Sequence, residues 1–297
     1  MKLLEKKNIS IIGGAGHVGL PLGLVFANKN FNVSLVDTNK KNLELIKSGQ
    51  LPFSELGGKK LLEKALKKNR LFLTDKLNYL KYSKFIIVST GTPINKKFNP
   101  QKKKFISFFK KMMPYLKKNH IIIIRSSIYP GVCKEIYNII KKKCKNISYC
   151  PERIAEGKAI TELPKLTQII SGINIKAIAE SSKLFKKITK KIIVSKIIEA
   201  ELAKLFSNAY RYIHFSISNQ FYMMAEKYNL NFNKLRKIMS IGYSRNHTIP
   251  LSGFTAGPCL LKDTMQLSSF YNHNFSLGNC AKDINEGFPN FIVNQLI

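Results

Sequence analysis

The sequence predicts an α/β fold, a doubly wound parallel sheet followed by an all-helical domain. Three observations predict it. Short, continuous apolar and β-branched runs alternate with helical patterns as far as Val194, as in parallel sheets buried on both faces. A glycine pattern, Gly14-x-Gly16-x-x-Gly19, follows the first of these runs and opens a helix. Between Glu199 and Tyr228 there is neither Gly nor Pro, and apolar residues recur at helical spacing.

The first strand expected is Ile9 to Ile12, with a helix starting near His17. Asn32 to Val36 is the next strand and runs into Asp37. Further strands are read at Phe85 to Ser89, Ile121 to Arg125, Ile147 to Cys150 and Gln168 to Ser171. Helical segments fall between them, near Lys41 to Lys47, Gly58 to Lys68, Gln101 to Leu116 and Lys134 to Lys143. Beyond Val194 the pattern turns helical throughout, which sets domains of 1–195 and 196–297. The long helix is followed by shorter ones near Asn233 to Ser240 and Lys262 to Tyr271. A loop with Pro250, Gly253 and Gly257 separates those two and ends in a lone thiol, Cys259. Another helix begins over Gly278 to Glu286, and no internal repeat is present.

A chain of 297 residues holds about two domains. A hydrophobic content of 44% is ordinary for a globular core. The net charge is +33. Such a charge raises nucleic-acid binding as a class, but the lysines are scattered in doublets and triplets, and no recognition motif accompanies them. The charge is therefore read as solvated surface, which would still attract an anionic nucleotide. The five cysteines, Cys133, Cys144, Cys150, Cys259 and Cys280, show no CxxC spacing, so no metal site is expected. Their odd number and scatter point to a reducing compartment. The longest apolar runs fall far short of a membrane span, and the N-terminus passes into a strand without a signal-peptide pattern. The expectation is a cytoplasmic protein with no membrane and no nucleic-acid partner.

The glycine pattern has a mechanical reading as a Rossmann-type dinucleotide site. Gly14 permits a tight turn, Gly16 lets a pyrophosphate approach the backbone, and Gly19 lets helix and strand pack closely. The helix N-terminus offers free N–H groups to phosphate oxygens. Ala15, His17 and Val18 complete the turn. Asp37 lies eighteen residues after Gly19, at the end of the second strand, where a carboxylate accepts the adenosine ribose hydroxyls. A carboxylate there favours NAD over NADP, although Lys40 and Lys41 stand nearby. A nicotinamide cofactor combined with a loop thiol implies oxidation of an aldehyde trapped as a thiohemiacetal.

Six blocks carry a resemblance to a known family. They are Gly14-Ala15-Gly16-His17-Val18-Gly19-Leu20-Pro21, Gly91-Thr92-Pro93, Arg125-Ser126-Ser127-Ile128-Tyr129-Pro130-Gly131, Pro151-Glu152-Arg153, Glu201-Leu202-Ala203-Lys204-Leu205-Phe206-Ser207-Asn208, and the loop before Cys259. In this order and spacing the chain resembles the UDP-glucose/GDP-mannose dehydrogenases, the nucleotide-sugar 6-dehydrogenases. The Arg-Ser block and Ala256-Gly257-Pro258-Cys259 look most like members acting on UDP-N-acetylhexosamines.

The resemblance implies two successive NAD-dependent oxidations at C6, from alcohol through aldehyde to carboxylate, in the supply of precursors for cell-surface polysaccharide. It implies Cys259 as nucleophile, and Lys204 and Asn208 as stabilisers of the oxyanion. Their spacing of four residues puts both on one helix face. Asp263 is the implied orienter of the hydrolytic water. Glu152 is implied as general base or water anchor, the plainer reading being a salt bridge to Arg153. Thr92 and Ser127 match hydroxyl positions near the nicotinamide and water. Arg153, Arg245 and Gly257, with Glu152, Lys204 and Asn208, are the implied substrate contacts. The central helical domain is implied to form a homodimer through its long helix.

The chain departs from the family pattern at several places. Ser127 stands where Thr is frequent, Pro258 where many members carry His or Tyr, Leu261 where many carry Pro, and Gln220 where an acid is common. The family's third domain, which grips the uridine diphosphate end, has no counterpart in these residues. The expectations this leaves open are an active dehydrogenase, a split enzyme completed by a separate C-terminal chain, or an idle member that binds NAD and dimerises.

Overall fold

The computed structural model describes residues 8–92, 94–95, 99–255 and 259–296. Two compact units emerge, Met1–Thr92 with Gln101–Lys204, and Pro93–Pro100 with Leu205–Ile297.

In the first unit, β1 (Asn8–Ile12) leads to α1 (Gly19–Asn28) and β2 (Asn32–Val36). Next come α2 (Lys40–Lys47), α3 (Gly58–Lys67) and β3 (Leu71–Thr74). β4 (Phe85–Val88), α4 (Lys102–Met112), β5 (Ile121–Ile124), α5 (Val132–Ile140) and β6 (Ile147–Tyr149) continue the alternation. α6 (Ala159–Glu162), β7 (Gln168–Gly172), α7 (Ile175–Phe185) and β8 (Ile192–Val194) close the unit, and α8 (Ile197–Glu226) begins in it. The strands form one sheet in the order β3-β2-β1-β4-β5-β6-β7-β8. All four residues of β5 are fully buried, with Ile121 and Ile123 in one core and Ile122 and Ile124 in the other. The continuous apolar runs therefore serve both faces of the sheet, as the sequence predicts.

One expectation needs correction, because the sheet is not wholly parallel. β6 and β7 pair antiparallel, Ser148 opposite Gly172 and Tyr149 opposite Ser171. The link from β6 to β7 is long enough for a crossover but contains only α6, one turn of helix, and so lacks the helix that usually carries a parallel return; β7 enters from the end at which β6 leaves. β3, β8 and α7 are also additions to the sequence reading.

In the second unit the described regular elements are helices, apart from an isolated bridge between Ile94 and Pro100. α8 continues through it, followed by α9 (Phe232–Ser240), α10 (Cys259–Phe270) and α11 (Ser276–Leu296). Tyr212 of α8 packs with Leu260 of α10 and Ala281 of α11. The Tyr222 ring lies edge-on to Phe288 at 5.7 Å between centroids. α10 starts at Cys259, before the expected Lys262. The thiol therefore belongs to a first helical turn and not to a loop.

Candidate active site

The cofactor turn is built from backbone. The N–H groups of Gly13 and Gly14 both donate to the Val36 carbonyl, at 3.0 and 3.2 Å. A Cβ on Gly14 would come within 2.8 Å of the Leu35 Cα, and one on Gly19 within 2.1 Å of the Gly13 carbonyl oxygen. Both positions exclude a side chain for packing reasons. Gly16 differs, because a Cβ there meets nothing nearer than 3.5 Å. Its space is open to a ligand. The N-cap residue of α1, Val18, supplies no side-chain cap, and the first turn holds no acid. The Leu20 N–H donates to the Gly16 carbonyl at 3.0 Å and Pro21 has none, so the N–H groups of Val18 and Gly19 are the ones this end offers to an anion. These features fit a dinucleotide pyrophosphate.

Asp37 accepts from the Ala15 N–H at 2.9 Å through Oδ2 and from the Asn39 N–H at 3.0 Å through Oδ1. The carboxylate therefore braces the turn, and each oxygen retains a lone pair for a ribose hydroxyl. His17 turns to other protein groups. Its Nδ1 lies 2.9 Å from Glu156 Oε1, and its ring is 4.0 Å from that of Phe53. Thr92 and Ser127 are brought together, the Thr92 hydroxyl donating to the Ser127 carbonyl at 2.5 Å. The loops after β1, β4 and β5 all lie at the carboxyl ends of the strands, where open α/β sheets place their ligands.

Glu152 follows β6 and is not paired with Arg153. Its ion-pair partner is Arg125, which is fully buried and reaches Oε2 of Glu152. Arg125 Nη1 donates to Gln168 Oε1 at 2.9 Å, and its guanidinium lies 4.9 Å from the Phe185 ring centre. Burial draws the Arg125 pKa down to about 10. Glu152 Oε1 accepts from the backbone N–H of Arg153 at 2.8 Å and of Ile154 at 3.2 Å. The Arg153 guanidinium instead donates to the Thr167 carbonyl. Arg125 stands in a block that carries the family resemblance, but the sequence reading gave neither it nor Gln168 a role in the site. The available signal was an arginine closing an otherwise all-isoleucine strand.

Glu201 is a second carboxylate whose placement was not foreseen. It is fully buried on α8 and accepts from the Gly131 N–H at 2.7 Å and the Cys133 N–H at 3.1 Å. It thereby caps α5 and holds the turn that follows Ser127. Burial raises its pKa, against the lowering effect of those two N–H groups. Lys204 follows one turn later on α8 and is half-buried.

In the second unit, Asn208 Nδ2 donates to Asp263 Oδ2 at 2.6 Å. Asp263 is 0% exposed. Its other oxygen receives Lys262 Nζ at 3.4 Å and Gln266 Nε2 at 3.3 Å. Cys259 is exposed one turn earlier on the same helix. Arg245 has local contacts, its Nη1 3.4 Å from the Tyr243 hydroxyl. Gly257 lies outside the described residues. Among the described residues no cluster of three or more His, Cys, Asp or Glu could hold a metal ion. None of their helices is long and apolar enough to cross a membrane.

Residues 7–193 match the NAD binding domain of the UDP-glucose/GDP-mannose dehydrogenase family, and residues 198–287 match its central domain. UDP-N-acetyl-D-mannosamine dehydrogenases of Methanococcus maripaludis and Methanococcus vannielii are 29% and 30% identical over 296 residues, covering 98% of this chain and 68% of each relative. The solved UDP-D-ManNAc dehydrogenase of Pyrococcus horikoshii is 26% identical with a TM-score of 0.88, over 97% of this chain and 70% of that one. Matched along both of its units, the chain belongs to the UDP-glucose/GDP-mannose dehydrogenase family of NAD-dependent oxidoreductases.

Proposed function

We propose that the chain oxidises the C6 hydroxyl of a UDP-N-acetylhexosamine to the uronic acid, with Cys259 as covalent nucleophile. The names of the relatives favour the mannosamine epimer. The observation that carries the reading is the Asn208–Asp263 hydrogen bond. It joins the helix bearing Lys204 to the helix that begins with the thiol.

Bound NAD supplies the hydride acceptor for both oxidations, held by Gly14 to Gly19 and Asp37. The Cys259 sulfur adds to the C6 aldehyde, and its proton leaves to solvent. The oxygen that becomes negative accepts from the second hydrogen of Asn208 Nδ2 and from Lys204 Nζ. Oxidation of this thiohemiacetal leaves a thioester on Cys259. Water then cleaves it, restoring the thiol and releasing the carboxylate. Asp263, buried and fully engaged, orients Asn208 in this scheme. Glu152 takes two backbone N–H groups on one oxygen and a guanidinium on the other. That leaves one lone pair to anchor a water and argues against a role as general base.

The long helix supports a homodimer. Phe206, Tyr210, Ile217, Phe221 and Met224 are exposed along α8 at spacings of three, four or seven residues, an apolar seam suited to a second copy. The reading places the enzyme in the cytoplasm, making precursors of cell-surface polysaccharide.

The test is NADH formation from UDP-N-acetylmannosamine and UDP-N-acetylglucosamine, with oligomer size followed by light scattering. Cys259→Ser should stop at the aldehyde or its adduct. Uronic acid formed by Cys259→Ser at the parent rate would refute the mechanism, and a monomer would refute the dimer.

A further inference from the structure

The segment leading to Cys259 is suspended from side chains of the neighbouring helices. Arg236 Nη1 donates to the Ile249 carbonyl at 3.2 Å, and the Ser218 hydroxyl to the Pro250 carbonyl at 2.9 Å. Asn219 makes a two-way pair with Gly253. The Gly253 N–H donates to Asn219 Oδ1 at 2.8 Å, and Asn219 Nδ2 donates to the Gly253 carbonyl at 3.1 Å.

The second hydrogen on Asn219 Nδ2 goes to Asn285 Oδ1 at 2.9 Å. Asn285 Nδ2 in turn donates to the Tyr212 carbonyl at 3.0 Å. Asn219 is 0% and Asn285 4% exposed. Two buried amides are costly unless hydrogen-bonded, and here they are. The relay also fixes which way the Asn219 amide points, because reversing it would set donor against donor at Gly253. Gly253 has a φ of 154°, a conformation that side-chain-bearing residues rarely adopt. The amide thus pins the backbone at Gly253, six residues before the thiol.

We propose that Asn219 is a positioning residue for Cys259. Its amide, oriented by Asn285, fixes the backbone at Gly253, and this anchor governs how the thiol six residues on is presented. The proposal rests on Cys259 being the nucleophile, but its first test needs no turnover.

The measurement is the rate at which iodoacetamide alkylates Cys259, followed by mass spectrometry in a Cys280→Ser background. Cys133, Cys144 and Cys150 are buried and do not compete. Asn219→Ala should move the rate about fivefold or more from the parent value toward that of a short peptide carrying the same Cys. Asn219→Asp keeps the acceptor for the Gly253 N–H but sets an oxygen against the Gly253 carbonyl and Asn285 Oδ1, so it should not restore the parent rate. Thermal melts establish that each variant is folded. If Asn219→Ala does not fold, Asn285→Ala, which leaves the Asn219–Gly253 pair in place and removes the orienting bond together with the bond to the Tyr212 carbonyl, should shift the rate in the same direction by less.

In turnover, Asn219→Ala should lower kcat about tenfold or more with the KM for NAD unchanged, as misplacement of a reacting group does. An unchanged alkylation rate in a folded Asn219→Ala, or a parent rate equal to that of the peptide, overturns the proposal. A parent that turns over no UDP-sugar removes the substrate reading and leaves the alkylation result to decide this one.

Discussion

The amide of Asn208 donates to the buried carboxylate of Asp263 at 2.6 Å, linking α8 to α10. With Lys262 at 3.4 Å on its other oxygen, Asp263 has the partners a buried charge requires. Asn208→Ala should cost about 1–3 kcal/mol, the usual penalty for an unmade buried hydrogen bond. Asn208→Asp should cost more at neutral pH, because it places two carboxylates at contact distance. Its extra cost should shrink in acid, where one of the pair takes up a proton. Denaturant melts of both variants at two pH values check this. Equal stability of the two at neutral pH would sink the idea.

Asp37 both braces the turn at Ala15 and is the group expected to meet the ribose. Asp37→Ala should therefore weaken NADH binding about tenfold or more, close to 1.4 kcal/mol. The parent should bind NADH in preference to NADPH, since a 2′-phosphate would meet the carboxylate. Fluorescence titration with both nucleotides measures this. A parent that prefers NADPH contradicts it.

The legibility of the fold follows how local its causes are. The β1–α1–β2 unit is readable because a turn that close to Leu35 and Gly13 demands glycine at fixed spacing. β3 is not readable, being a short edge strand with Phe72 exposed. α7 hides because its buried positions include Ala177 and Ser181, and Ile175 is exposed, so no apolar stripe marks it. The site divides in the same way. Asp263 and Asn208 are identifiable by resemblance, but their mutual bond is a tertiary fact. The plainer reading of Glu152 followed sequence adjacency to Arg153, whereas the packing of β5 beside β6 delivers Arg125.

Arg125 is a buried cation whose charge is met by Glu152. Removing one member of such a pair strands the other. Arg125→Met should destabilise the first unit by about 3–5 kcal/mol. Glu152→Gln in the same chain should recover a substantial part of that loss, because no uncompensated charge then remains. A double-mutant cycle on melting data reads the coupling. If the double variant is as unstable as the sum of the singles, the charge argument fails.

Glu55 gives a pH signature of opposite sense to the usual surface carboxylate. It is 7% exposed, and its Oε1 accepts from the Ile160 N–H at 3.0 Å. Oε2 has no hydrogen-bond partner among the described residues. Burial raises its pKa above the ordinary 4.5, against the lowering effects of the Ile160 and Ala159 N–H groups and of His17. A raised pKa means that the folded chain holds the proton more tightly than the unfolded chain. The stability this contributes is complete below the unfolded pKa and is lost as pH rises through the folded one. Glu201, also raised, adds to the same trend. Glu55→Gln keeps an acceptor for Ile160 and removes one of these two titrations. Its Tm relative to the parent should therefore improve as pH rises from about 4 to about 7. Calorimetry at the two pH values is the check. A difference that stays constant, or that moves against the variant as pH rises, would show that the Glu55 carboxylate is not titrating across this range.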